Sequence, residues 1–158
     1  FKDVDWVETS RQAVSEVLNN GLDSRYEIVF AETQPGRTIH LLGDEGLLRR
    51  MLDNLLRNSI THNPQGCRIA VFVGEENGRC ICTVSDDGMG ITPERLKALN
   101  RGDDIASTQG SDEKSEHGLG LKLVAQIVKS HRGIVSFSAN APHGLEVRIS
   151  LPTQPLIS

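Results

Sequence analysis

Two asparagines, Asn54 and Asn58, are four residues apart in a segment whose apolar residues recur at helical spacing. Side chains at that separation lie on one face of a helix, about one turn from each other. An amide oxygen is a neutral, hard ligand for Mg²⁺, which takes few protein ligands when phosphates supply the others. The pair indicates a metal and phosphate site, although two asparagines that simply face solvent are the commoner reason for this spacing.

The segment 84–91 places Asp86 at the end of a predicted strand and follows it with Gly88 and Gly90. Glycines at alternate positions let a ligand approach the backbone closely. A buried carboxylate there can accept a hydrogen bond from an exocyclic amine, which distinguishes adenine from guanine. Because a turn with Asp-Gly chemistry contains the same residues, this segment alone is a weak signal.

Residues 117–121, His-Gly-Leu-Gly-Leu, join a polar segment to a predicted helix. Unpaired backbone N–H groups and the positive end of the dipole make a helix start a binding place for phosphates. The alternative is a glycine hinge before an ordinary helix. Each of these features is common alone, but their order along the chain is specific and predicts a nucleotide site.

These segments resemble the N box and the two glycine boxes of the GHKL superfamily, in its histidine-kinase branch, and the resemblance covers nearly the whole chain. It implies ATP and Mg²⁺ as ligands: Asn58 holds the metal, Asn54 contacts phosphate and Asp86 reads the adenine amine. It also implies an ATP lid at about 101–117. The binding residues that it implies are Asn54, Asn58, His62, Asp86, Gly88, Gly90, Ile91, Arg101, His117, Gly118, Leu119, Gly120 and Leu121.

Asn54 bears on the reaction, because hydrolytic members of the superfamily carry a glutamate there as general base. An amide cannot take a proton from water, whereas a neutral imidazole already offers a nucleophilic nitrogen. The prediction is therefore transfer of the ATP γ-phosphoryl group to a histidine. None of the five histidines precedes an acidic residue, as the family's phosphoacceptor usually does, so we expect the acceptor in a separate dimerisation domain. The alternatives are a GHKL-type ATPase and a degenerate nucleotide-binding module without phosphotransfer.

The resemblance also implies the setting, which is two-component signal transduction. The expected parent is a homodimer in a bacterial cell membrane that passes the phosphoryl group to a response regulator, and this chain is its excised cytoplasmic domain. Several positions depart from the family pattern. Thr61 replaces a basic residue, His62 an aromatic one and Leu145 a threonine, while residues 96–100 lack the expected aromatics before the lid.

Composition agrees with one soluble domain. A chain of 158 residues buries roughly 70% of its unfolded surface. The net charge of −4 disfavours nucleic acid as a partner, and no apolar run approaches the roughly 20 residues that cross a bilayer, so direct membrane contact is not expected. Three cysteines without a CxxC spacing indicate neither a disulfide framework nor a zinc site.

Hydrophobic periodicity predicts the elements that position these residues. The first two predicted helices start after the cap candidates Asp5 and Asp44 and run to about 20 and 62, and the other two are 93–100 and 119–130. The predicted strands are 27–32, 38–42, 68–74, 79–85, 134–139 and 145–151. Residues 101–116 contain almost nothing apolar and are predicted to form a loop. The pattern favours an α+β fold, a two-layer sandwich whose sheet is covered on one face. The resemblance implies the GHKL ATP-binding fold, with a mixed, mostly antiparallel sheet of about five strands covered on one face by about three helices. His131, near the end of the last helix, is expected to make a cap interaction.

Overall fold

The computed structural model of the chain describes residues 1–102 and 112–153, the side chains of 112–119 excepted. In these ranges the chain forms four helices and seven strands. In chain order they are β1 (Lys2–Asp5), α1 (Trp6–Asn19), β2 (Tyr26–Glu32), β3 (His40–Gly43), α2 (Glu45–His62), β4 (Cys67–Glu76), β5 (Arg79–Asp86), α3 (Pro93–Arg101), α4 (Asp112–Ser130), β6 (Ile134–Ala139) and β7 (Leu145–Pro152).

The main sheet has five strands in the order β2-β4-β5-β7-β6. β2 runs parallel to β4 and the other neighbours are antiparallel, which confirms the predicted mixed, mostly antiparallel sheet. β3 pairs instead with β1 in a separate two-stranded sheet. β1 is not predicted from sequence, because a four-residue strand with one buried residue is too short to show an alternating pattern.

One face of the main sheet is covered by helices. Alternate residues of β4, β5 and β7 are buried there, as the two-residue period of a strand requires. They are Ile69, Val71, Val73, Cys80, Cys82, Val84, Leu145, Val147, Ile149 and Leu151. α1 and α2 pack against β4, α4 packs against α2 and β6, and α3 lies against β6 at the edge. The helix-covered side therefore contains the core.

The helix starts follow the predicted caps. The side chain of Asp5 accepts a hydrogen bond from the backbone N–H of Glu8 at the start of α1, and Asp44 accepts one from Leu47 at the start of α2. α2 ends at His62, shortly before Pro64, which cannot continue a helix. The residues that recur at helical spacing in this segment form one buried stripe, so the side of α2 that carries Asn54 and Asn58 is fixed by packing. The stripe consists of Leu48, Met51, Leu52, Leu55, Leu56 and Ser59.

α4 begins at Asp112, so the predicted loop is wrong for 112–116 and the predicted start at 119 is late. Low apolar content indicates an exposed segment rather than a non-helical one, and Glu and Lys are good helix formers. The backbone of Gly118 and Gly120 consequently lies inside a helix and not at its beginning. The rest of the predicted lid, 103–111, lies outside the described residues.

His131 follows α4 and is 4% exposed. Its Nδ1 lies 2.8 Å from the carbonyl oxygen of Ile127, which confirms the expected cap interaction. Its Nε2 accepts a hydrogen bond from the backbone N–H of Asp44 at 3.0 Å. The ring therefore joins the end of α4 to the start of α2. Across the described ranges, no helix combines the length and apolar character required to span a membrane.

Candidate functional site

α2 presents Asn54, Asn58 and His62 along one side, since each is four residues from the next. These three residues form the α2 line. All three are half-buried, at the border between the packed side of the helix and solvent. Within the described residues, neither asparagine side chain makes a hydrogen bond. Both amides are thus available to a ligand.

Asp86 ends β5 and is 4% exposed. It pairs with Ile69 across the sheet, so its carboxylate points to the helix-covered side. Oδ1 accepts hydrogen bonds from the backbone N–H groups of Gly88 at 3.0 Å and Leu145 at 3.3 Å. Among the described residues none donates to Oδ2, which leaves that oxygen able to accept from a ligand amine. This is the arrangement that an adenine-reading carboxylate needs.

The glycines that follow Asp86 are required by contacts within the protein. A methyl group on Gly88 would overlap with the side chain of Asn63. Gly90 has a φ of +73°, which side chains rarely adopt, and a Cβ there would lie 3.1 Å from the carbonyl oxygen of Gly144. The loop of residues 88–90, the glycine loop, is consequently packed between the end of α2 and the β6–β7 turn.

Two histidines hold this loop from opposite sides. Nε2 of His62 lies 3.2 Å from the carbonyl oxygen of Gly90, and Nδ1 of His143 lies 2.9 Å from that of Gly88. Because a carbonyl only accepts, each of these nitrogens carries its proton. The side chain of Asn140 also donates to the carbonyl of Asp86 at 2.8 Å. The structure thus brings predicted His62 to the loop and adds His143 and Asn140, which sequence reasoning misses.

Asn63, the residue after α2, is a further contributor that the sequence analysis does not identify. It is 1% exposed, and its side chain bonds to the backbone of both α2 and the glycine loop. In the sequence, an asparagine before a proline indicates only the end of a helix. No local signal marks it as part of a site.

The remaining predicted residues lie around this centre. Ile91 packs against the core, Leu121 is buried on α4, and Gly120 is half-buried. Arg101 is exposed at the last turn of α3. The backbone of His117, Gly118 and Leu119 is helical, but their side-chain positions lie outside the described residues. The structure therefore gathers the α2 line, Asp86 and the glycine loop, while the phosphate contacts expected from 101 and 117–120 stay predictions.

The electrostatic environment beside Asp86 is negative. Burial, together with the charges of Asp86 and Asp87, raises the pKa of the Cys67 thiol to about 11. Cys67 is therefore a neutral thiol at physiological pH and not a nucleophile. In the described part of the chain, no group of three His, Cys, Asp or Glu side chains is arranged to hold a metal ion. A metal here would rely on amide oxygens and ligand phosphates, which fits the free amide of Asn58.

Comparisons with known proteins assign most of this chain to a family. The family described as histidine kinase-, DNA gyrase B- and HSP90-like ATPase matches residues 43–155. Sporulation kinase B of Bacillus subtilis is 32% identical over 125 residues, which cover 78% of this chain and 27% of that protein. Sensor protein kinase PmrB of Pseudomonas aeruginosa is 27% identical over 98% of this chain and 32% of its own length. The chain thus spans about a third or less of the curated relatives it matches.

A solved structure of the mycobacterial sensor histidine kinase MprB matches with a TM-score of 0.75 and 25% identity, over 98% of this chain and 99% of that one. The histidine kinase domain of the E. coli osmosensor EnvZ matches with a TM-score of 0.69 and 27% identity, over 99% of this chain and 91% of that one. These matches confirm the predicted fold class. They also place the α2 line and the glycine loop in a fold that sensor kinases use.

Proposed function

This chain belongs to the family of histidine kinase-, DNA gyrase B- and HSP90-like ATPases, and we propose that it binds ATP with Mg²⁺ for transfer of the γ-phosphoryl group to a histidine of a separate domain. Its relatives named above are a sporulation kinase and a sensor protein kinase. The observation that carries the proposal is Asp86, a buried carboxylate with one oxygen held by the backbone and the other left for a ligand.

The base lies against Asp86 in this proposal. Oδ2 accepts a hydrogen bond from the exocyclic amine of adenine, while the two N–H groups on Oδ1 hold the carboxylate in place. Guanine presents a carbonyl oxygen where adenine has its amine, so it would oppose one acceptor with another. His62 and His143 fix the carbonyls of Gly90 and Gly88 beside the base. Recognition of adenine therefore depends on a loop that is already ordered by the protein.

The phosphates extend along α2 from the base. Asn58 supplies an amide oxygen to Mg²⁺, and Asn54, one turn away, contacts phosphate. When bound, Mg²⁺ would neutralise negative charge on the phosphates. Positioning and charge stabilisation supply most of the catalysis in such transfers. Arg101 and the backbone around Gly118 and Gly120 are proposed phosphate contacts on the basis of the resemblance.

Kinase chemistry is favoured over hydrolysis by Asn54. Its amide is half-buried and makes no hydrogen bond within the described residues, and it cannot deprotonate water. A histidine acceptor brings its own nucleophilic nitrogen, which attacks the γ-phosphorus as the bond to ADP breaks. We place the acceptor on a dimerisation domain of the same protein, in a homodimeric parent with a response regulator downstream. A cytoplasmic position below a membrane-bound sensor belongs to the same proposal.

Titration calorimetry of Mg-ATP into this chain tests the base site. We expect saturable binding by the wild type, no competition by GTP, and at least about tenfold weaker binding by Asp86→Asn, which corresponds to one lost hydrogen bond to a charged group. Asp87→Asn is the matched control, because Asp87 is exposed and accepts from the N–H of Arg68. Failure of the folded wild type to bind millimolar ATP would refute the proposal.

Phosphotransfer is tested separately in a longer protein that includes the histidine-bearing domain. Radiolabelled γ-phosphate should appear on a histidine of that domain, as an acid-labile and base-stable adduct. Hydrolysis of ATP by this chain without any histidine domain would instead support the ATPase alternative. Binding without either reaction would support a degenerate nucleotide-binding module.

A further inference from the structure

The side chain of Asn63 connects two parts of the proposed site that are distant in sequence. Nδ2 donates a hydrogen bond to the carbonyl oxygen of Ser59 in α2 at 2.8 Å. Oδ1 accepts one from the backbone N–H of Met89 in the glycine loop at 3.0 Å. Asn63 is 1% exposed, and its bond to Ser59 is buried whereas its bond to Met89 is partly buried. One amide thus ties the helix of Asn54 and Asn58 to the loop that follows Asp86.

The backbone of Asn63 is held just as firmly. Its carbonyl oxygen accepts hydrogen bonds from the hydroxyl of Tyr26 at 2.8 Å and from the N–H of Gly66 at 2.9 Å. Its own N–H donates to the carbonyl of Ile60 at 3.3 Å. Contacts from β2, α2 and the following turn therefore fix the position from which the side chain reaches the loop.

Gly88 packs directly against this side chain. A Cβ at position 88 would overlap with Oδ1 and Cγ of Asn63 and would lie 2.6 Å from Nδ2. The backbone of Gly88 is not in the left-handed region that disfavours side chains, unlike that of Gly90, whose φ is +73°. Hence Asn63, rather than backbone conformation, is what excludes a side chain at position 88.

We propose that Asn63 is a positioning residue that sets the register of Gly88 and Met89 against α2 and thereby aims the carboxylate of Asp86. The link to Asp86 is direct, because the N–H of Gly88 bonds to Oδ1 of Asp86 at 3.0 Å. A shift of the loop would turn that carboxylate relative to Asn58. The inference rests on the proposed function, since it assigns Asn63 to the adenine and metal site.

Removal of the amide tests the positioning role. Asn63→Ala should weaken Mg-ATP binding at least about tenfold, because a loop that is no longer tied to α2 holds the binding-competent position only part of the time, and it should lower the preference for ATP over GTP. Asn63→Asp keeps the shape and the acceptor for Met89 but changes the contact with Ser59. We expect it to retain the base preference even where its melting temperature falls, so a preference lost in Asn63→Ala at a similar melting temperature could not come from lower stability alone.

The steric relation gives a second readout that needs no nucleotide. Gly88→Ala should lower the melting temperature of the wild type but leave that of the Asn63→Ala variant nearly unchanged, because the methyl group enters the space that the amide leaves. Loss of the Gly88→Ala penalty in the double variant is the rescue. Gly144→Ala is the matched control. Its Cβ would overlap with the backbone carbonyl of Asp86, and its φ is +119°, so Asn63→Ala should not rescue it.

The outcomes separate this inference from the proposed function. Normal wild-type binding, with unchanged affinity and base preference in Asn63→Ala, would overturn the inference alone. Absence of rescue in the double variant would overturn the packing on which it depends. If the folded wild type binds no ATP, the proposed function fails and the inference fails with it.

Discussion

The side-chain amide of Asn100 pairs with the backbone of Phe137 as a neighbouring strand would. Nδ2 donates to the carbonyl oxygen of Phe137 at 2.8 Å, and Oδ1 accepts from its N–H at 2.9 Å. Phe137 lies in β6, which is an edge strand of the sheet, and exposed edges favour pairing with other chains. Asn100 is in the last turn of α3. A polar contact therefore docks α3 at a place where the family resemblance leads one to expect aromatic residues.

Asn100→Ala should lower the free energy of unfolding by about 1–2 kcal/mol, because two net hydrogen bonds of ordinary strength are lost. Asn100→Asp should cost more, since a carboxylate would face the carbonyl of Phe137. Urea unfolding of the variants measures both effects. Asn19→Ala, at the exposed end of α1, provides the control for loss of an asparagine. Equal stability of the Asn100 and Asn19 variants would contradict the importance of the contact.

Gly144→Ala should be among the most destabilising single-methyl additions in this chain. Gly144 has a φ of +119°, and a Cβ there would overlap with the backbone carbonyl of Asp86. Gly21 is a matched control with a φ of +82° and no atom within 4 Å of an added Cβ. We expect about 1 kcal/mol for Gly21→Ala from backbone strain alone and about 1–3 kcal/mol more for Gly144→Ala from overlap. Thermal or urea unfolding measures the difference, and equal losses would refute the steric term.

The buried thiols make stability fall at alkaline pH. Burial raises the pKa of the Cys82 thiol from 9.0 to about 12, so the folded state keeps a proton that the unfolded chain loses. The contribution of the protonated Cys82 thiol to the stability of the folded state is complete below pH 9, and it is lost as the pH rises from 9 to about 12. In that window Cys82→Ala should flatten the decline in unfolding free energy by about 1.4 kcal/mol per pH unit, the value for one proton. A decline of the same slope in both proteins would contradict the assignment.

The sequence predicted those features that depend on local periodicity. Leu48, Leu52 and Leu55 repeat with a helical period, and their burial places Asn54 and Asn58 at the border between the packed side of α2 and solvent. The burial of Asp86 likewise follows from the alternation of its strand. The start of α4 was not predictable in the same way, because composition reports exposure more directly than backbone conformation.

Contacts between distant residues account for what the sequence analysis missed. Asn63 and Met89 are 26 residues apart, and His143 and Gly88 are 55 apart. A hydrogen bond of that kind leaves no repeating pattern in either segment, so only the folded arrangement identifies it. The residues that order the glycine loop are for this reason harder to predict than those that would touch a ligand.

Asn58 and Asp86 should separate metal binding from base binding. Asn58→Ala removes a free amide oxygen that is half-buried on α2, so we expect weaker binding of Mg-ATP but unchanged binding of ATP in EDTA, because only the metal contact is lost. Asp86→Asn should weaken binding in both conditions, since the base contact does not require Mg²⁺. Asn54→Ala is the control for loss of an amide one turn away. Because Asn54 is a proposed phosphate contact, this variant should weaken ATP binding both with and without Mg²⁺. Calorimetric titrations of the three variants in Mg²⁺ and in EDTA measure these effects, and an Asn58→Ala defect that persists in EDTA would rule out Asn58 as the metal ligand.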